Sequence, residues 1–509
     1  MPNDIRLEFK PRRQISRTRF WGLRVSLILF GLLPFLILEL ALRFLWTPPI
    51  ADRVDPFLDC SQLSPLFELD GGDYRIRQDR LALFAPAHFK TIKEANTKRV
   101  FCVGGSTTQG EPYKPPTAFP AWLELNLRLI DPDQHWEVVN CGGLSYASYR
   151  LLPILSEVLQ YKPDLIVVDC GHNEFLEERE LSGWKRTPPI VVHTMRVARY
   201  SRLVQFPSNY FSGRSKTNSH QVARTRLECE VDALLDSQGG LEKYKRDELN
   251  SESVVKSMRW NINAMAEACN RAKVPMLLLI PTCNVRDCPP FKVELRGQID
   301  ADSEEQIELH WNAARRAMTE HEATSLRTPL EMSPVYELQQ LLSIDPEHAG
   351  ALYWLGQMEL ALGQFERARK HLIGAKDKDV CPLRAISPMQ DAIREIAIAK
   401  KIWWFDVDAM FQSVSEHAIV GDQWLIDHVH PRIEGHQMLG ERLAELLIEK
   451  GWVMPTNDGW IQERPSAYQK HLAGLGEDYF IRGKQRLEGL ILWTQGRAHK
   501  GLSYPETGR

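Results

Sequence analysis

The sequence predicts a three-layer α/β/α protein built on a parallel sheet, with a helical insertion and an N-terminal transmembrane helix. Three observations predict this fold: short apolar runs alternate with helical segments, a strongly helical stretch interrupts the alternation, and a long apolar segment lies near the N-terminus. Parallel strands that are buried on both faces read as continuous apolar runs. Several such runs separated by helices indicate an α/β domain.

The apolar segment at residues 25–42, VSLILFGLLPFLILELAL, contains one charged residue, Glu39. As a helix it would extend about 27 Å, close to the thickness of a bilayer core. Residues 1–24 are rich in Lys and Arg, which predicts a cytoplasmic N-terminus and places the rest of the chain outside the cytoplasm, in the periplasm if the cell is Gram-negative. A cleaved signal peptide and a buried soluble helix are the alternatives, but neither a cleavage site nor amphipathic periodicity is evident.

Five segments are predicted to be strands of the parallel sheet. Each is short, apolar and next to a helical pattern; they are residues 99–105, 136–143, 163–174, 274–282 and 402–410.

A strongly helical segment, residues 303–380, interrupts this series of strands. Within this stretch DPEHAGALYWLGQMELALGQFERARKHLIGAKDKD resembles a tetratricopeptide repeat. One and a half repeats are too few to stack alone, so we expect residues 336–380 to pack on the α/β domain or to bind a protein partner; a simple helical hairpin is the alternative.

These patterns divide the chain into seven segments. They are a cytoplasmic basic segment (1–24), a transmembrane helix (25–42), a linker and lead-in (43–96), the first part of the α/β domain (97–302), the helical insert (303–380), the last part of the α/β domain (381–450) and a C-terminal extension (451–509). The sequence assigns no role to residues 180–250 or 451–509.

Charge and cysteine content exclude some functions. Lys and Arg number 63 and Asp and Glu number 66, so the net charge is −3 and nothing indicates the basic face of a nucleic-acid-binding protein. Nine cysteines include no CxxC pair, which argues against a structural zinc site. Cys283 and Cys288 are candidates for a local disulfide in an extracytoplasmic domain.

Polar or glycine-bearing turns follow three of the predicted strands and contain Ser106, Gly142 and Asn173. The carboxyl ends of parallel strands share one rim of the sheet, which is where ligands bind. Asp427 and His430 lie in a loop near the other end of the α/β domain, before a predicted helix. We therefore expect all five residues to lie together.

These residues are the parts of a serine acyl-transfer site. Ser106 is the predicted nucleophile, His430 the general base and Asp427 the group that orients the imidazole. The backbone N–H groups of Ser106 and Gly142, with the Asn173 amide, are the predicted oxyanion donors.

Each of these residues could instead have a purely structural role, such as a helix cap for Ser106 or a turn for Asn173. That explanation requires the whole set of residues to occur together by chance. A metal site formed by His428, His430 and His436 is an alternative. We rank it below the triad because, apart from Asp427, no carboxylate or thiolate accompanies these histidines. Neither a metal nor a cofactor is predicted. Asn284 and Arg286 are expected at the same rim, where they would line the pocket.

The set resembles the SGNH/GDSL hydrolase family over residues 97–175 and 402–448. Its four blocks match Ser106, Asn140-Cys141-Gly142, Gly171-His172-Asn173 and Asp427-His428-Val429-His430. The family's usual Gly-Asp-Ser reads Gly104-Gly105-Ser106 here. The resemblance implies an SGNH-like sheet and a serine esterase that hydrolyses or transfers an acyl ester on an O-acylated glycan or lipid. An inactive envelope scaffold that binds partners through its helical insert is the alternative.

Overall fold

A computed structural model gives the fold and describes residues 17–45, 58–59, 63–179, 225–236, 240–297, 299–323 and 334–498, with isolated positions between 181 and 203. Most of residues 1–24 and 180–224, and the end of the C-terminal extension, therefore lie outside the described residues. The chain divides into two compact units. One contains the N-terminal helix, and the other, Val54–Arg186 with Val222–Arg509, contains the sheets and the predicted site.

The strands of the described residues form three sheets. They are β1 (Leu58–Asp59), β2 (Phe67–Asp70), β3 (Asp73–Ile76), β4 (His88–Lys90), β5 (Thr97–Gly104), β6 (His135–Gly142), β7 (Leu165–Asp169), β8 (Thr225–Arg226), β9 (Met276–Ile280) and β10 (Trp403–Asp406). The central sheet has the strand order β10-β9-β7-β5-β6 and all its pairs are parallel. Strands β2, β3 and β4 form an antiparallel sheet, and β1 pairs with β8.

The α-helices of the described residues are numbered in chain order. They are α1 (Arg17–Leu45), α2 (Ser106–Gln109), α3 (Phe119–Ile130), α4 (Ser148–Val158), α5 (Glu248–Ala272), α6 (Ala301–Ala323), α7 (Pro334–Ile344), α8 (Ala349–Ala361), α9 (Phe365–Asp377), α10 (Ser387–Lys400), α11 (Val407–Val414), α12 (Ile433–Glu449), α13 (Trp460–Ala473) and α14 (Glu477–Ala498).

The predicted α/β fold with a parallel sheet is confirmed. Strands β5, β6, β7, β9 and β10 fall within or overlap the five predicted segments. Helices cover both faces of the central sheet, because alternate residues of β5, β7 and β9 pack with α3, α11 and α12 in one buried cluster. The intervening residues of these strands are equally buried, on the face where α4, α5 and α10 lie.

The segment predicted to span a membrane, residues 25–42, lies within α1, which contains Pro34 and the charged residues Arg24, Glu39 and Arg43. Many of its apolar side chains are exposed, including Phe30. Within the ranges that the structure describes, no helix is long and apolar enough to cross a membrane. The predicted transmembrane helix is therefore not supported.

Helices α6 to α9 occupy most of the predicted helical insert. Gly356 of α8 lies so close to α9 that a methyl group there would be 2.8 Å from the Leu372 side chain. The apolar side of this helix pair packs on Cys283 and Val285, which follow β9. The described helices thus include a hairpin that packs on the α/β domain, and its identity as a tetratricopeptide-like repeat stays a prediction.

Close packing of α3 against α12 generates a stability prediction. A methyl group at Gly440 would lie 2.6 Å from Trp122 Cβ and 2.8 Å from the Leu123 amide nitrogen. We therefore expect Gly440→Ala to lower the free energy of unfolding by about 1–3 kcal/mol, measured by urea denaturation. The control is Gly489→Ala in α14, where nothing lies within 4 Å, and the helix should gain about 0.5–1 kcal/mol. Equal effects of the two substitutions would contradict this packing.

Candidate active site

The turn after β5 presents Ser106 at the carboxyl end of the central sheet. Gly105 is the N-cap of α2, with extended backbone angles (φ −85°, ψ −155°), and Ser106 is the first residue of that helix. The side chain is only half-buried. A short strand-to-helix turn therefore holds the predicted nucleophile at an accessible position.

Asp427 and His430 lie on a tight turn, residues 425–431, which we call the catalytic loop. Leu425 and Pro431 form a β-bridge at its base, and α12 follows it. His430 Nδ1 donates a hydrogen bond to Asp427 Oδ2 at 2.6 Å, and Ser106 Oγ donates to His430 Nε2 at 2.7 Å. This tautomer follows from the ionised carboxylate, which can only accept. The structure thus brings together the three residues that the sequence predicts as nucleophile, base and orienting group.

The other carboxylate oxygen of Asp427, Oδ1, is also engaged in hydrogen bonds. Asp427 Oδ1 accepts hydrogen bonds from the backbone N–H groups of Val429 and His430, both at 2.8 Å. Burial alone would raise the pKa of Asp427, but the neighbouring histidines and these hydrogen bonds lower it well below its usual range. Burial alone would lower the pKa of His430, yet the Asp427 carboxylate outweighs burial and raises it.

Three other histidines surround this pair. They are neutral at pH 7, because burial lowers the pKa of His172 to about 3, of His428 to about 4 and of His436 to about 3. His172 Nδ1 accepts a hydrogen bond from the Ala385 amide, and His436 Nδ1 accepts one from the Phe119 amide. These two contacts give the rings structural roles.

Neither the metal site nor the disulfide considered from the sequence is present in the described part of the chain. No group of three or more His, Cys, Asp or Glu side chains there is arranged to hold a metal ion. Cys283 and Cys288 are free thiols. Cys283 Sγ instead lies 3.4 Å from the Ala385 carbonyl oxygen.

Asn173 lies directly beside the nucleophile turn. Its Nδ2 donates to the Tyr146 carbonyl at 3.1 Å, and a methyl group at Gly105 would lie 2.8 Å from the same nitrogen. An aspartate at position 105, as in the usual Gly-Asp-Ser block, would therefore displace Asn173. Gly105 leaves room for the amide, whose second N–H can point toward a substrate oxygen.

Gly142 makes different contacts from those predicted. Its N–H donates to Asn140 Oδ1 at 2.9 Å, and its carbonyl accepts from Gln109 Nε2 at 3.0 Å. A methyl group at this position would lie 2.2 Å from the Gln109 amide nitrogen. Gly142 therefore allows α2 to pack against β6, and the geometry does not support the predicted role as an oxyanion donor.

Ser145 was missed by the sequence analysis. It has a left-handed backbone conformation (φ 60°) and is half-buried. It immediately precedes Tyr146, whose carbonyl holds Asn173. Among the described residues no group accepts a hydrogen bond from its N–H. A serine with positive φ has no distinctive sequence pattern, so only the backbone reveals this donor.

Asp169, at the end of β7, was also missed. Its Oδ2 accepts hydrogen bonds from Thr107 Oγ1 at 2.6 Å and Thr108 Oγ1 at 3.1 Å. Burial raises its pKa. These bonds tie α2 to the adjacent strand and so fix the helix that begins with Ser106.

Comparisons with known proteins find matches among solved structures. No family model and no curated protein sequence matches the chain. A lipase/acylhydrolase from Enterococcus faecalis matches 70% of this chain and 98% of its own, at 13% identity and a TM-score of 0.31. A GDSL-like lipase from Bacteroides thetaiotaomicron matches 73% and 95%, at 12% identity and a TM-score of 0.30. An acetylxylan esterase from Geobacillus stearothermophilus matches 68% and 93%, at 12% identity and a TM-score of 0.28.

The contact between Asp427 and His430 generates a titration prediction. We expect His430 to titrate above the ordinary histidine pKa of about 6.5, since the carboxylate favours the imidazolium. In Asp427→Asn the carboxylate no longer outweighs the effect of burial, so the pKa of His430 should fall below 6.5. NMR titration of the histidines measures the pKa of His430 in the wild-type protein and in the variant. Asp391→Asn, a surface carboxylate paired with Arg394, is the control and should leave the His430 titration unchanged. An unchanged His430 pKa in Asp427→Asn would contradict the assignment.

Proposed function

We propose that this chain is a serine esterase of the SGNH/GDSL type, which hydrolyses an acyl ester through Ser106, His430 and Asp427. One observation carries the proposal: His430 lies within hydrogen-bonding distance of both Ser106 Oγ (2.7 Å) and Asp427 (2.6 Å). A nucleophile in contact with a base, and a base in contact with an orienting group, is the arrangement that activates a hydroxyl. A helix cap or a structural histidine would not require this chain of contacts.

The reaction follows from this chain of contacts. Ser106 Oγ attacks the ester carbonyl while its proton moves to His430 Nε2, and Asp427 stabilises the imidazolium. The tetrahedral intermediate collapses, the C–O bond of the ester breaks, and the departing alkoxide takes the proton from His430. Water then attacks the acyl-enzyme while His430 accepts one of its protons. When the second tetrahedral intermediate collapses, the bond to Ser106 Oγ breaks, Ser106 takes this proton back from His430, and the carboxylic acid is released.

The oxyanion of the tetrahedral intermediate needs donors that are already in place. We assign the free N–H of the Asn173 amide, the Ser106 backbone N–H and the Ser145 backbone N–H. Ser145 replaces Gly142 in this assignment, because the Gly142 N–H is already donated to Asn140. Loss of one such donor costs on the order of 10²–10³-fold in kcat.

Water is the proposed acyl acceptor, and a hydroxyl of another molecule is the alternative. Both resolve the same acyl-enzyme, so the catalytic residues serve an esterase and an acyltransferase equally. An O-acylated glycan or a lipid is the proposed substrate class, and a protein partner bound through residues 336–380 stays a prediction.

The activated serine is tested with a fluorophosphonate probe on the full-length chain. The wild-type protein should form one covalent adduct, which peptide mass spectrometry should locate at Ser106. Ser106→Ala should abolish labelling, and His430→Ala should slow it on the order of 10⁴-fold or more, because the base no longer accepts the proton. Ser413→Ala, which removes a hydroxyl bonded to a helix carbonyl in α11, is the matched control and should label normally.

Hydrolysis of p-nitrophenyl acetate by the same proteins completes this test. Wild-type activity that is lost in Ser106→Ala supports the esterase. Absence of both labelling and hydrolysis in folded wild-type protein would overturn the proposal and favour the inactive scaffold.

We also propose that the catalytic domain lies outside the cytoplasm and that residues 25–42 associate with a membrane. The basic residues before this segment and the exposed apolar side chains of α1 support the proposal. The protein should sediment with the membrane fraction after cell lysis, and protease added to spheroplasts should degrade the catalytic domain. Recovery in the soluble fraction, or protection from protease until lysis, would contradict it.

A further inference from the structure

One asparagine, Asn284, binds the backbone of the catalytic loop through both its side chain and its backbone N–H. Asn284 follows β9 and is 1% exposed. Its Nδ2 donates to the Asp427 carbonyl at 3.1 Å, and its N–H donates to the His428 carbonyl at 3.0 Å. Two consecutive carbonyls of the catalytic loop are thus bound to one residue.

The other polar groups of Asn284 are also engaged. Nδ2 donates its second hydrogen to Asp422 Oδ1 at 2.7 Å, and Oδ1 accepts from the Asp287 amide at 2.9 Å. The position therefore needs a side chain that donates twice and accepts once at the same place. Only an amide of this length does so. An aspartate of the same shape would bring its carboxylate against the Asp422 carboxylate and the Asp427 carbonyl oxygen.

The segment that carries Asn284 is itself fixed by a buried cation. Arg384 Nη1 donates to the Asn284 carbonyl at 2.8 Å and to the Cys288 carbonyl at 2.7 Å. The same guanidinium lies 3.4 Å from Asp379 Oδ2. Arg384, which is 1% exposed, therefore holds the turn after β9.

The helical insert contacts the same segment from the other side. Tyr353 Oη and Gln357 Nε2, both on α8, donate to the Arg286 carbonyl, the first at 3.1 Å. The N–H groups of Val285 and Arg286 in turn donate to the Val420 carbonyl, just before the catalytic loop. A continuous series of hydrogen bonds therefore connects the insert, through residues 284–286, to the loop that carries Asp427 and His430.

We propose that Asn284 is a positioning residue for the general base, and that the helical insert supports it through the Arg286 carbonyl. The inference rests on the proposed esterase function. Asn284 does not touch Ser106 or His430. Its side chain binds the Asp427 carbonyl and its backbone N–H binds the His428 carbonyl, in the part of the loop between Asp427 and His430. Displacement of a catalytic group by about 1 Å can cost about 100-fold in rate, so the loop requires this support to keep His430 in line with Ser106.

The test compares Asn284→Ala and Asn284→Asp with wild type in the full-length chain. Fluorophosphonate titration gives the fraction of active sites, and p-nitrophenyl acetate hydrolysis gives kcat and KM per active site. We expect Asn284→Ala to lower kcat per site about 10–100-fold with little change in KM, and Asn284→Asp to lower it at least as much. Asn263→Ala, which removes an amide bonded to the Arg259 carbonyl on α5, is the control and should match wild type.

The outcomes separate positioning from packing and from the proposed function itself. If Asn284 only fills space, Asn284→Asp would restore wild-type kcat because its volume is the same, and the inference would be overturned. Unchanged kcat per site in Asn284→Ala, or a loss confined to the fraction of active sites, would overturn it as well. Absence of labelling in wild type would instead overturn the esterase proposal.

The contribution of the insert is measured with the combined change Tyr353→Phe and Gln357→Ala. Both donors to the Arg286 carbonyl are then lost, and we expect kcat per site to fall roughly 5-fold or more, the effect of about one hydrogen bond. The paired control is Asn263→Ala. Wild-type kcat in this double variant would remove the insert from the proposal and leave Asn284 to act alone.

Discussion

The Asp427 carboxylate is the group on which the arrangement of the site depends. It accepts two backbone hydrogen bonds from its own loop and one from the His430 ring. The first two shape the loop, and the third fixes the tautomer and raises the pKa of His430. One buried anion therefore determines where the base lies, which nitrogen faces Ser106 and how strongly that nitrogen attracts a proton.

The parallel sheet explains how distant segments reach this anion. Ser106 and His430 are 324 residues apart in the chain, yet the first follows β5 and the second precedes a helix that packs on α3. The carboxyl ends of parallel strands meet at one edge, so each strand-to-helix turn delivers its residues to the same place. Close backbone approach completes the fit, since Gly105 leaves space that Asn173 occupies.

The sequence predicts the strands, and it indicates that Ser106, Asp427 and His430 lie together, because both features have local patterns. Apolar runs mark buried strands, and short spacings such as that from Asp427 to His430 mark residues of one turn. Gly142 shows where local patterns fail. A glycine after a strand fits both a substrate donor and a packing contact, and only the hydrogen bond that its N–H donates to Asn140 Oδ1 distinguishes them. Ser145 and Asn284 depend on backbone angles and on partners more than 100 residues away, which no local pattern contains.

The neighbouring histidines explain why a single imidazole of this crowded site serves as the base in the proposed mechanism. His428 lies 3.7 Å from Asp427 Oδ1, but that oxygen already accepts two backbone hydrogen bonds, whereas Oδ2 is 2.6 Å from His430. The carboxylate therefore favours protonation of one ring, while burial keeps the neighbouring rings neutral. A second imidazolium nearby would lower the pKa of His430 and weaken it as a base. Because the neighbouring histidines are neutral, His430 keeps its raised pKa, and its Nε2 atom, which faces Ser106, accepts the serine proton.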